Sequence, residues 1–118
     1  MNVLIIDDEP DICFLLNGIL RNAGIHSFYV NTLKEAGVYL DKNPVEIVFL
    51  DNHLPDGTGI DFIHYIKQKH TKARVIMITA YDTPADRHNA FCAGADDFIA
   101  KPFSKQLIIE AINNLPGN

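Results

Sequence analysis

The chain has 118 residues, 47% of them apolar, and a mean hydropathy of +0.03, which suits one domain around one core and leaves no room for two. A formal charge of −5 and a pI near 5.4 exclude the basic patch that gripping DNA or RNA requires, so no direct nucleic-acid binding is expected. No apolar run approaches the roughly 20 residues of a membrane span, and Met1-Asn2 leads at once into a strand without a charged leader, so a cytoplasmic location with no membrane partner is expected.

Val3 to Ile6 opens the chain as a strand, continuously apolar as a strand covered on both faces should be. A helix follows from Pro10, a residue favoured at the first helical position, with Ile12, Leu15, Leu16 and Ile19 expected inward and Gly24 ending it. Ser27 to Val30 reads as the second strand. Thr32-Leu33-Lys34-Glu35 has the pattern of a capping box, ahead of a second helix that turns Leu33, Ala36 and Leu40 inward. Ile47 to Leu50 is the third strand, and Asp51 to Gly57 is rich in turn formers. A third helix runs from about Gly59 to Lys69 with Ile63 and Ile66 inward.

Val75 to Thr79 is the fourth strand, after which Thr83-Pro84 caps a fourth helix that stops near Gly94. Phe98 to Ala100 is the fifth strand. Ser104 caps a fifth helix in which Leu107, Ile108, Ala111, Ile112 and Leu115 keep to one face until Pro116-Gly117 ends it. This alternation predicts an α/β fold: a five-stranded parallel sheet wrapped on both faces by helices, a doubly wound three-layer (βα)5 sandwich over residues 1–118. Cys13 and Cys92 lie far apart with no CxxC or zinc-like histidine pattern and are expected to be reduced packing thiols. His26, His53, His64, His70 and His88 show no metal-binding spacing and are expected in surface or loop roles.

In a doubly wound sheet, ligands bind outside the carboxyl ends of the strands. Asp7 and Asp8 follow the first strand, Asp51 follows the third, Thr79 ends the fourth and Lys101 follows the fifth. Two carboxylates about 4 Å apart repel by roughly 4 kcal/mol at an effective dielectric near 20, a cost that an oxygen-seeking cation such as Mg2+ relieves. One carboxylate can then be a nucleophile, while a hydroxyl and an ammonium bind phosphoryl oxygens. Simpler roles stay open for each residue alone. Asp8 or Glu9 could cap the helix at Pro10, Asp51 could open a turn, Thr79 could be an ordinary β-branched strand residue, and Lys101 a surface cation before Pro102. Together they point to metal-assisted phosphate chemistry.

Asp7-Asp8, Asp51 with Leu54-Pro55 and Gly59, Thr79-Ala80, and Lys101-Pro102-Phe103 occur in an order and at strand ends that resemble the receiver domain of bacterial response regulators, over the whole chain. The resemblance implies a flavodoxin-like fold with strand order 2-1-3-4-5. It implies that Asp51 accepts a phosphoryl group from a phosphohistidine of a sensor kinase or phosphotransfer protein, within a two-component phosphorelay, and becomes an aspartyl phosphate. Mg2+ or Mn2+ would be held by Asp8, Asp51 and the backbone carbonyl of His53, with Asp7 acting through water, and Lys101 would pair with phosphoryl oxygens. The chain would be no enzyme toward other substrates and would catalyse only its own phosphorylation and dephosphorylation.

The resemblance also implies a switch in which the Thr79 hydroxyl moves to the phosphoryl group, Phe98 turns inward, and the face made by the fourth helix, fifth strand and fifth helix changes. That face would serve a downstream effector domain or protein, or a homodimer. Phe98 lacks the hydroxyl that a tyrosine would carry, so only a packing switch is open to it. His53 and Tyr81 are bulky at positions that tune the access of hydrolytic water, which implies a long-lived phosphoryl group. Val75 to Asp82 resembles receivers of NtrC-like transcriptional activators, in which DNA binding would belong to another part of the protein.

Three rival functions fit less well. A metal-dependent phosphohydrolase of the haloacid dehalogenase type would carry DxDxT where this chain has Asp7-Asp8-Glu9-Pro10. A flavin module would need a Ser/Thr/Gly-rich phosphate loop after the first strand, where this chain has acids. A degenerate receiver acting as a constitutive interaction module is opposed by the intact Asp7, Asp8, Asp51, Thr79 and Lys101.

Overall fold

Each central strand carries apolar side chains at successive positions because it is covered on both faces. In the computed structural model, which describes residues 1–114, the chain begins β1 (Asn2–Ile6), α1 (Pro10–Asn22), β2 (His26–Val30), α2 (Leu33–Lys42) and β3 (Ile47–Leu50). A small hairpin follows, β4 (His53–Leu54) and β5 (Gly57–Thr58), and then α3 (Gly59–Lys69), β6 (Arg74–Thr79), α4 (Pro84–Ala93), β7 (Asp97–Ala100) and α5 (Lys105–Asn113). The main sheet is parallel throughout, in the order β2-β1-β3-β6-β7. Without the hairpin, this is the expected 2-1-3-4-5 arrangement.

The alternating side chains of the strands build two cores. Val3, Ile5, Ile47, Phe49, Ile76, Ile78 and Ile99 meet Cys13, Leu16 and Leu20 of α1 and Ile108, Ala111 and Ile112 of α5. Leu4, Ile6, Val48, Leu50, Val75 and Met77 face the other way, onto Ala36 and Leu40 of α2, Ile63 and Ile66 of α3, and Ala90 of α4. Each fully buried aliphatic side chain contributes about 1.5–3 kcal/mol relative to exposure, so the two cores hold the strand ends in fixed register.

Several local expectations are corrected. The inward stripe of α1 is Cys13, Leu16, Ile19 and Leu20, while Leu15 is 47% exposed. The apolar pattern permits two neighbouring phases, and packing against β1, β3 and α5 selects the one that buries Cys13. Leu107 on α5 is also exposed, and Leu115, Pro116 and Gly117 lie outside the described residues. Cys13 is a buried packing thiol, as expected, but Cys92 is exposed beside His88, with Sγ 3.4 Å from Nε2.

Half of the expected capping box on α2 forms. Thr32 Oγ1 accepts from Glu35 N, but the Glu35 carboxylate accepts from Asn31 N. The next two helix donors, Leu33 N and Lys34 N, go to the carboxylate of Asp56 in the hairpin, at 2.9 and 3.0 Å. The reciprocal box occurs on α4, between Thr83 and Asp86. Ser104 caps α5 as expected, accepting from Leu107 N.

Candidate functional site: a carboxylate and lysine rim

The rim residues stand where the ladder runs one residue past the strands. Ile6 pairs with Leu50 in the parallel register, Asp7 N donates to Val30 O at 3.1 Å, and Asp51 N donates to Ile6 O at 2.9 Å. Asp7 and Asp51 are thereby brought side by side. On the other half of the sheet Thr79 pairs with Ala100, and Lys101 N donates to Thr79 O at 2.9 Å, which delivers Lys101 to the same edge. A cis peptide joins Lys101 to Pro102.

The side chains converge. Lys101 Nζ lies 2.9 Å from Asp7 Oδ2, 3.0 Å from Glu9 Oε1 and 3.7 Å from Asp51 Oδ2. Carboxylate oxygens of Asp7, Asp8, Glu9 and Asp51 all lie within 4.8 Å of one another. Four acids against one lysine leave an uncompensated negative charge, and an all-oxygen donor set of this kind suits a hard divalent cation. Asp8, Glu9 and Asp51, with Thr79, Lys101 and the His53 and Tyr81 side chains, line a cleft of about 300 Å³.

Burial governs the electrostatics. Asp51 is 5% exposed, and desolvation, followed by the neighbouring charge of Asp7, pushes its carboxyl up to about 6. Burial also raises Asp7 above the ordinary carboxylate range, against the opposing pull of the Glu9 N–H and of Lys101. Burial alone would lower the Lys101 ammonium, but its hydrogen bonds to Asp7 and Glu9 and the negative charges of Asp51 and Asp7 together outweigh this and hold it above the usual lysine range. Cys13, behind the rim, is pushed up to about 12 by burial and by Asp7. It is a neutral thiol that donates to Asp7 O at 3.3 Å.

Asp7, Asp8, Asp51 and Lys101 therefore meet as the sequence predicts, and Thr79, 2% exposed, forms the wall beside them. Its Oγ1 accepts from Tyr81 N at 3.2 Å. His53 and Tyr81, both exposed, line the cleft with their rings in contact, centroids 4.2 Å apart and planes inclined by 46°. Phe98 does not line the cleft. It lies inward among the core residues with the Arg87 guanidinium 4.9 Å above its ring, and Arg87 is tied in turn to Asp82.

Neither Asp8 nor Glu9 caps α1 through its side chain; Glu9 is the N-cap residue and makes no such bond. Glu9 as a partner of Lys101 escapes the sequence reading, as do three residues that shape the rim. Asn31 Nδ2 donates to Asp7 O at 2.9 Å. Asn52 Oδ1 accepts from Ile60 N in the first turn of α3 at 3.0 Å, and Asp56 ties the hairpin that carries His53 to α2. The one local signal was their residue type, because Asn and Asp in turns bond backbone groups. Gly59 is required by contact: a Cβ there would stand 2.2 Å from Asp51 O.

Among the described residues no helix is long and apolar enough to cross a membrane. Residues 3–113 match the response regulator receiver domain family. The response regulator protein PilR of Pseudomonas aeruginosa is 41% identical over 99 residues, which are 84% of this chain and 22% of that protein. The solution structure of the beryllofluoride-activated NtrC4 receiver domain dimer matches with a TM-score of 0.90 at 34% identity, covering 95% of this chain and 93% of that one. A response regulator from Burkholderia pseudomallei, solved with a phosphorylated aspartic acid, calcium ion and citrate, matches with a TM-score of 0.89 at 26% identity, covering 96% of this chain and 66% of that one. The chain thus spans half or less of the length of the curated relatives it matches. A sheet in the expected order, with this rim at its carboxyl edge and a family match over nearly its whole length, shows that the chain belongs to the response regulator receiver domain family of two-component systems.

Proposed function

We propose that the chain is a phosphoacceptor that takes a phosphoryl group on Asp51 from the phosphohistidine of a sensor kinase or phosphotransfer protein. One observation carries the reading: Asp51 belongs to a group of carboxylates whose oxygens could hold a cation, lies 3.7 Å from the Lys101 ammonium, and lines an open cleft. An Asp51 oxygen forms the new bond to phosphorus, the bond from phosphorus to the imidazole nitrogen breaks, and that nitrogen keeps the electron pair. Lys101 offsets charge on the phosphoryl oxygens, and the Thr79 hydroxyl, on the neighbouring wall, is the second donor available to them.

Mg2+ or Mn2+ is the cation we assign, held by Asp8, Asp51 and the His53 carbonyl with Asp7 in support. Its part is to neutralise charge that would otherwise oppose the meeting of two anions. The chain acts on itself alone and has no separate substrate. Contacts of the phosphoryl group with Thr79 would draw on the Tyr81 N–H bond and so reach the loop before α4. We assign the readout to the face of α4, β7 and α5, through the packing of Phe98 beneath Arg87, to an effector domain or to a second copy of the chain. The resemblance of Val75 to Asp82 to receivers of NtrC-like activators, and the 36% identity over 102 residues to the KDP operon transcriptional regulatory protein KdpE of Escherichia coli, support a receiver that works within a transcriptional regulator.

The test is intact-protein mass after incubation with Mg2+ and acetyl phosphate, with Asp51→Asn alongside. The expected result is one phosphoryl adduct in the wild type, absent in the variant and absent without divalent cation. No adduct, or one that survives the substitution, would leave a constitutive interaction module as the better reading.

A further inference from the structure

Glu9 is poorly explained as helix chemistry. It stands at the N-cap of α1, where Ser, Thr, Asp and Asn are favoured because a short side chain reaches the first-turn N–H groups, and its side chain makes no capping bond. Its backbone N–H is held by Asp7 Oδ1 at 2.9 Å. The carboxylate reaches across the sheet edge to Lys101, 92 residues away. The Glu9 side chain is 58% exposed, and an ion pair with so exposed a partner adds little to stability. Structural support does not account for the contact.

We infer that Glu9 is a specificity-determining residue that occupies Lys101 in the unmodified protein, in place of a phosphoryl oxygen, and thereby restricts small anionic donors. The inference rests on Asp51 being the phosphoacceptor. An ammonium has three donors; two of those of Lys101 are engaged by Asp7 and Glu9 at 2.9 and 3.0 Å, while Asp51 Oδ2, at 3.7 Å, lies beyond hydrogen-bond range. A phosphoryl oxygen arriving at Asp51 can take the third donor, and drawing the ammonium closer to itself requires Lys101 to give up Asp7 or Glu9. Releasing Asp7, 2% exposed, would leave a buried charge unpaired, which is strongly unfavourable. Releasing Glu9 costs little, because its carboxylate swings into water.

Glu9 therefore acts in two ways. It makes Lys101 less available in the ground state, and it places a negative charge at the mouth of the cleft, where like charge slows the approach of an anion. A kinase brings a docking surface that positions its phosphohistidine, so contact energy offsets this repulsion. A small donor such as acetyl phosphate has no surface to contribute and meets the full barrier.

The experiment uses the 118-residue chain at saturating Mg2+ and low ionic strength, with initial rates of adduct formation measured against acetyl phosphate concentration for wild type, Glu9→Gln and Glu9→Asp. Glu9→Gln should raise the second-order rate constant by roughly threefold or more, since one unit charge acting on another some 6 Å away at a dielectric of about 80 is worth about a factor of three and a dianionic donor feels twice that energy. The gain should fall below about twofold near 0.5 M salt, where the Debye length is only a few Å. Glu9→Asp keeps the charge at the mouth but shortens the reach to Lys101, so its rate should lie between the other two. Phosphoramidate, a less negatively charged donor, should gain less than acetyl phosphate.

A Glu9→Gln rate equal to or below the wild type, or a gain that salt leaves unchanged, overturns the inference. A rate below the wild type at saturating Mg2+ would make Glu9 a support for the cation instead. Circular dichroism melting of both variants, with Glu9→Ala as a third, confirms that folded proteins are compared. If the wild type forms no adduct, or Asp51→Asn still forms one, the acceptor assignment has failed, which is a different outcome from equal rates in a working receiver.

Discussion

Asp51→Asn should stabilise the metal-free protein at neutral pH, although Asp51 is the residue on which the proposed chemistry depends. The Asp51 carboxyl is held at about 6 against 3.8 for an isolated aspartate. Each unit is worth about 1.4 kcal/mol, so ionising Asp51 in the folded chain costs about 3 kcal/mol. The folded state holds this proton more tightly than the unfolded state. The cost is therefore absent below pH 3.8, develops as the pH rises, and is complete above about 6. Asparagine keeps the shape and carries no charge, which also relieves Asp7. In chelator, urea unfolding followed by circular dichroism should show the variant about 1–3 kcal/mol more stable at pH 7.5. The advantage should shrink toward zero as the pH approaches 4. A difference that does not vary with pH, or a variant less stable than wild type at pH 7.5, would refute the electrostatic reasoning.

Other consequences can be checked separately. Gly59→Ala forces a methyl group against the Asp51 carbonyl and Leu50; overpacking of this kind costs about 1–3 kcal/mol, and urea unfolding together with slower adduct formation should report it. In native protein one thiol, Cys92, should react with a disulfide reagent at neutral pH, because Cys13 is buried and held near 12; denaturant should release the second thiol, and two fast native thiols would contradict the assignment. His53→Ala and Tyr81→Ala each open one side of the cleft, so the phosphoryl half-life, followed by mass after donor removal, should shorten in both. An unchanged half-life would remove the shielding role. Asp56→Ala leaves Leu33 N and Lys34 N without their partner and should lower the melting temperature. The Asp56 carboxyl is held below its ordinary range by those bonds, so the stability it contributes is present above pH 3.8 and is lost as the pH falls below that.

The alternation of apolar strands and capped helices was enough to place Asp7, Asp51, Thr79 and Lys101 on one rim, because in a parallel sheet every strand ends at the same edge. Local signals also located Ser104 and Thr83 as caps, since capping depends on residues only three positions apart. What tertiary structure decided lies in contacts that no local pattern encodes. The phase of α1, with Cys13 inward and Leu15 outward, depends on how the helix meets β1, β3 and α5. The Asp56 clamp on α2 joins residues 22 and 23 positions apart, and Glu9 finds Lys101 across 92. Hydrophobic periodicity says which face of an element is buried. It is silent on which polar tips meet across the edge of the sheet, because their positions follow from strand register and from the docking of helices around it.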